Sequence, residues 1–134
     1  MLKVGDTYEM PFSLTQEQVN AFAELSGDKN PVHIDAAFAA NTSFKKPIVH
    51  GIFSAAIFSK ILGTIFPGDG TIYLGQTLQF KRPVYPGEDY LARVEVVSLD
   101  GRNSATIATV LTHVATGKAV IEGEAKVMHK ELIP

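Results

Sequence analysis

The chain reads as α+β: helices come first, then a run of strands, with one long central helix packed against a curved antiparallel sheet. Three observations predict this. The segment "KKPIVHGIFSAAIFSKILGTIF" is apolar on nearly every helical face, so it belongs in the interior. After Gly70 the apolar spacing changes from helical to alternating. Turn signals at Asp100–Asn103 ("DGRN") and Ala115–Lys118 ("ATGK") separate the alternating runs, which favours antiparallel hairpins. The 134 residues suit one domain spanning 1–134. A chain of this length buries roughly two thirds of its unfolded surface and needs no disulfide staple.

In chain order, "DTYEMPFSL" predicts a strand or an extended lead-in. "TQEQVNAFAELSG" predicts a helix. Thr15 and Gln18 have capping-box spacing, and Val19, Phe22 and Leu25 form a sparse apolar face filled in by Ala21 and Ala23. Gly27 is placed to end that helix in a left-handed conformation. "SGDKNPVHID", Ser26–Asp35, follows as a loop, and "IDAAFAANT" predicts a short helix capped by Asp35. Pro47 suits the first position of the long helix, and Pro67–Gly70 stops it. "TIYLGQTLQFK" puts Ile72, Leu74, Leu78 and Phe80 on one strand face, before "RPVYPGE" breaks the run. The next strands set Ala92, Val94 and Val96 opposite Arg93 and Glu95, and then Ile107, Thr109 and Leu111 on one side. The last sets Ile121, Ala125 and Val127 opposite Glu122, Glu124 and Lys126.

Composition narrows the function. Without cysteine there is no thiol catalysis and no Cys-ligated zinc, and a reducing compartment fits. The net charge of −2 is spread along the chain, with no basic stripe for nucleic acid or a membrane surface. "MLKVGDTYEMPF" lacks the apolar run of a signal peptide, and Lys60 and Pro67 make the long apolar segment a poor spanning helix. The expectation is a soluble, cytoplasmic, globular protein.

Two motifs carry candidate chemistry. In "SGDKNPVHID", Asp28 can act as a base and His33 can exchange a proton near neutral pH. Five positions apart across a loop stiffened by Pro31, they can meet one water. A plain Asx turn with His33 packed on the next helix explains the same residues. Asn30 reads as structural, its side chain satisfying loop amides before Pro31. In "PIVHGI", His50 and Gly51 sit at the start of the long helix, where the first N–H groups have no intrahelical partner. Gly51 lets a ligand approach the backbone, and an amide there can stabilise an oxygen that gains negative charge. Close packing of helix on sheet explains Gly51 equally well. His33, Asp35 and His50 are permissible metal ligands, but they are scattered and lack a paired helical motif, which argues against a metal centre. No "GxSxG" elbow is present, Ser54 and Ser59 read as small packing residues, and nothing ties His113 or His129 to a site.

Taken together, "SGDKNPVHID" and "FKKPIVHGIFSAAIFSKILG" resemble the MaoC-like hydratases of the hot-dog superfamily. The nearest pattern is that of single-domain (R)-specific enoyl-CoA hydratases. The shared pattern is D-x-N-P-x-H followed by a proline-led HG, here Asp28, Asn30, Pro31, His33, Pro47, His50 and Gly51. "YLGQTLQFKRPVYPGE" resembles the strand after the hot-dog helix, so the likeness spans nearly the whole chain. It implies a hot-dog fold, and hydration of a short- to medium-chain trans-2-enoyl-CoA to an (R)-3-hydroxyacyl-CoA. Asp28 and His33 would activate the water, and the Gly51 amide would polarise the thioester carbonyl. Ser59 would orient Asp28, Leu62 would border the acyl tail, and Asn30 and His50 would support the site. No metal or cofactor is implied beyond the coenzyme A of the substrate, and the expected assembly is a homodimer. The rival readings are a 3-hydroxyacyl-ACP dehydratase, a hot-dog acyl-CoA thioesterase and a non-catalytic thioester-binding subunit.

Overall fold

A computed structural model describes residues 1–134. The chain runs β1 (Thr7–Phe12), α1 (Gln16–Ser26), α2 (Pro31–Ile34), α3 (Ala36–Ala40), α4 (Gly51–Thr64), β2 (Ile72–Gln76), β3 (Gln79–Phe80), β4 (Tyr90–Leu99), β5 (Ser104–His113) and β6 (Ala119–Met128). The strands form one antiparallel sheet in the order β1-β4-β5-β6-β2, with β3 also pairing β6. The expected α+β architecture of helix against antiparallel sheet is present.

The core forms where α4 meets the sheet. Ile57, Phe58, Ile61 and Leu62 of α4 join Val94 and Val96 of β4, Ile107 and Leu111 of β5, and Ile121, Ala125 and Val127 of β6. The alternation read in β4, β5 and β6 is the alternation observed. Bulges at Val96/Ser98 and Leu111/Thr112 shift the register locally.

The first helix matches its signals. Thr15 Oγ1 accepts from the Gln18 amide, Gln18 Oε1 accepts from the Thr15 amide, and Gly27 closes α1 at φ 81°. Asp35 caps α3 by accepting from Phe38 N–H.

Four details differ from the sequence expectation. First, the expected loop holds a one-turn helix, α2, with Asn30 as its cap and Pro31 at its first position. Second, α4 starts at Gly51, not Pro47, and it ends at Thr64, before Pro67. Pro47–His50 is an approach segment whose backbone groups are engaged elsewhere: Ile48 N–H donates to Val32 O, and Val49 N–H donates to Val84 O. Third, α4 is not covered on all sides. Ile52 is 60% exposed, and Ala56 and Ser59 are also open to solvent. At spacings of four and three, these residues share one helix face. Fourth, Ile72, Leu74, Leu78 and Phe80 do not form one face: the first two and Phe80 are exposed, whereas Leu78 packs against the core. A register shift between Tyr73 and Gly75 and the gap between β2 and β3 break the period of two, and β2 is the last strand of the sheet.

Candidate active site

The site is assembled by two short pieces of backbone. Asn30 Oδ1 accepts from Val32 N–H and turns the chain into α2, which carries His33. Gln16, at the start of α1, donates from Nε2 to His33 O at 2.9 Å and ties the loop to the first helix. The approach to α4 then passes beneath His33. His33 Nδ1 lies 2.8 Å from Ile48 O. A carbonyl only accepts, so Nδ1 carries the proton and Nε2 is left with a lone pair.

His50, the cap residue of α4, is 1% exposed. Its Nε2–H donates to the Asp28 main-chain carbonyl at 2.9 Å. Its ring stacks on His33, with centroids 3.8 Å apart and planes 27° apart. Phe22 meets the His50 ring edge-on at 4.8 Å and stacks on Phe53. His50 Nδ1 is buried without a partner, an arrangement that costs on the order of 1–3 kcal/mol.

Asp28 is exposed and receives the Asn30 amide on Oδ1 at 3.4 Å. Asp28, His33, His50 and Gly51 line one cavity of about 430 Å³ with Phe44, Ile48, Phe80, Lys81 and Arg82 among its other walls. The amides of Gly51, Ile52 and Phe53, the first of α4, donate to no acceptor in the chain. They form the positive end of the helix dipole. Phe80 lies across this end: a Cβ on Gly51 would stand 2.7 Å from two of its ring carbons.

The His33 pKa is lowered from its ordinary 6.5. Burial is the main cause, and the neighbouring His50 acts the same way. The bond to the Ile48 carbonyl and the Asp28 charge oppose it. His33 is therefore neutral at neutral pH, with Nε2 free to accept a proton.

The carboxylate of Asp28 and the two imidazoles offer ligand atoms within 4.8 Å of one another. The ring geometry does not suit a shared ion. Imidazole binds a metal in its own plane, and two stacked rings cannot both hold one ion in plane without one of them turning. Asp35, the other acid weighed as a ligand, is spent on capping α3.

The structure thus brings together Asp28, Asn30, His33, His50 and Gly51. Within one chain it does not bring in Ser59 or Leu62. Ser59 lies eight residues along α4 from Gly51, about 12 Å of helix rise. It is exposed and makes no hydrogen bond to Asp28. Leu62 is fully buried in the core and does not line this cavity. The sequence reading missed the Ile48 carbonyl, a main-chain group with no residue-type signal. It also placed Phe80 on a strand face with Ile72, Leu74 and Leu78, not beside the head of α4. His129 is structural, donating to Asp69 O and accepting the Glu131 and Leu132 amides. His113 bonds Glu88 and Thr116, away from the cavity.

The MaoC like domain family matches residues 3–120. The chain belongs to the MaoC-like family. This MaoC-like chain is 47% identical over 128 residues to the (R)-specific enoyl-CoA hydratase of Aeromonas caviae, covering 94% of each protein. It is 41% identical to the (R)-specific enoyl-CoA hydratase of Rhodospirillum rubrum, over 95% of this chain and 88% of that one. Among solved structures, it superposes on the (R)-hydratase from A. caviae involved in PHA biosynthesis with a TM-score of 0.90 and 44% identity. That match covers 95% of this chain and 96% of the other. The fold is the hot dog expected from the resemblance.

Proposed function

We propose that the protein is an (R)-specific enoyl-CoA hydratase, a hydro-lyase that adds water to short- and medium-chain trans-2-enoyl-CoA to give (R)-3-hydroxyacyl-CoA. One observation carries the reading. The D-x-N-P-x-H loop and the HG helix start, met in a chain nearly half identical to a named hydratase, meet in one cavity with a carboxylate, a neutral imidazole and unpaired helix amides.

Water binds between two acceptors, the Asp28 carboxylate and His33 Nε2. As its oxygen bonds to the β-carbon, the pair takes its proton and returns one to the α-carbon, so the substrate gains H and OH in balance. Electron density moves onto the thioester oxygen during attack. The Gly51 amide, preorganised at the head of α4, stabilises that charge. Asn30 supports the loop, and His50 supports the pair. Coenzyme A enters only as the substrate's carrier, and the reaction needs no other cofactor. Its substrate is an intracellular thioester, so the same reading puts the protein in the cytoplasm.

The protein works as a homodimer in this reading. Strand β2 ends the sheet with exposed Ile72, Tyr73 and Leu74, and an apolar open edge pairs readily with a copy of itself.

The decisive test is hydration of crotonyl-CoA, followed by loss of the enoyl absorbance. Wild type turns over, and Asp28→Asn loses about 100-fold or more in kcat, the usual effect of removing a positioned base. Wild type without turnover, or Asp28→Asn with wild-type rates, sinks the proposal. Chiral analysis of the product checks the (R) assignment.

A further inference from the structure

His50 is a buried titratable group to which the mechanism gives no proton to carry. It is 1% exposed, yet one of its ring nitrogens has no partner. An apolar ring of similar size would fill the same space without that orphan, so packing alone does not account for an imidazole here. Its contacts do. The Nε2–H holds the Asp28 carbonyl at 2.9 Å, the ring face lies 3.8 Å from His33, and the residue caps the helix that begins at Gly51. The His50 carbonyl is itself held by Ser54 N–H at 3.0 Å and by Ser54 Oγ at 3.2 Å. One side chain therefore touches both members of the acid–base pair and is anchored to the helix that carries the third group.

We propose that His50 is the positioning residue of the site. Its Nε2–H fixes the Asp28 main chain, and its ring face sets the orientation of His33. The inference rests on the hydratase reading for its kinetic consequences but not for its structural ones.

The same contact has an electrostatic side. The charged and titratable groups around His33 are Asp28 from the loop after α1, His50 from the head of α4, and Lys81 and Arg82 from the segment after β3. Lys81 is paired with Glu122 at 2.8 Å. Of these, His50 is the one in ring contact. Coulombic repulsion from this neighbouring imidazole disfavours a proton on His33, whereas the electron-rich face of a phenyl ring attracts one.

The test uses the full chain with His50→Phe and His50→Gln. Phe keeps a ring against His33 but cannot donate to Asp28, while Gln keeps a donor near the Nε2 position. His50→Phe should lose roughly 10- to 100-fold in kcat with KM changed by less than about 3-fold, as expected for misplaced catalytic groups. The acid limb of its pH–rate profile should move to higher pH. His50→Gln should recover most of kcat. A Phe variant with wild-type kcat and an unmoved acid limb would overturn the proposal, as would a Gln variant no better than Phe. Nitrogen NMR of the imidazoles in wild type is independent of activity and of how the variants fold. His50 protonated on Nε2, beside His33 protonated on Nδ1, is the expected result, and His50 protonated on Nδ1 refutes the tether. Wild type that fails to hydrate crotonyl-CoA removes the hydratase reading, and the NMR still decides the role of His50.

Discussion

A backbone carbonyl leaves His33 able to accept a proton. Ile48 O accepts the bond from Nδ1–H, so the lone pair is on Nε2 of a residue that lines the cavity, and burial keeps that lone pair free at neutral pH. The sign of the pH dependence follows. The folded-state pKa lies below 6.5, so activity holds as pH falls to 6.5 and is lost below it, as Nε2 becomes protonated. A profile of kcat/KM against pH checks this, and an acid limb centred above 6.5 contradicts it. Gly51 makes a second residue-level prediction. A methyl group there meets the Phe80 ring at 2.7 Å, beside the unpaired amides. Gly51→Ala should lower turnover several-fold or more, because the added methyl displaces the Phe80 ring that walls the cavity beside these amides. Adding Phe80→Ala should recover part of the loss in the same crotonyl-CoA assay if the ring is the obstacle.

Among the elements, α1 was readable from its residues alone. Thr15, Gln18 and Gly27 act locally, through bonds to backbone at most a turn away, and each sits where its type predicts. The start of α4 was not readable in this way. Pro47 is a fit first residue for a helix, but the Ile48 and Val49 amides are taken by Val32 and Val84, partners distant in sequence. The short β2–β3 edge was misread for a related reason. Its register is set by β6, and a bulge inverts the faces. The junction is tight: a Cβ on Gly123 of β6 would collide with the Thr77 carbonyl between β2 and β3. That contact is backbone, so it cannot swing aside. Gly123→Ala should destabilise the fold by about 1–3 kcal/mol, and a lowered midpoint in thermal or urea denaturation checks this.

For the whole molecule, two open surfaces bear on assembly. One is the β2 edge with Ile72, Tyr73 and Leu74, and the other is the uncovered face of α4 with Ile52, Ala56 and Ser59. A chain this apolar at a sheet edge is expected to associate in water. Sedimentation equilibrium should give twice the 14.5 kDa chain mass. Ile72→Lys with Leu74→Lys should shift the protein toward monomer, since like charges would meet across a two-fold contact. A wild-type monomer at micromolar concentration contradicts the dimer. No helix of the chain is long and apolar enough to cross a membrane.

By itself, the sequence determined the fold class, the alternation of the three long strands, the capped first helix and the candidate groups Asp28, His33 and Gly51. These depend on periodicity, local hydrogen bonding and residue chemistry, all of which act over a few neighbouring positions. Tertiary structure alone decided that Asp28 and His33 face the head of α4 across one cavity. It also decided that His33 carries its proton on Nδ1, and that His50 is buried between the pair with one nitrogen unpaired. It left Ser59 and Leu62, in one chain, out of that cavity. Each of these depends on where a carbonyl, a ring face or a helix side lies in space, and residues fifteen or more apart set those positions.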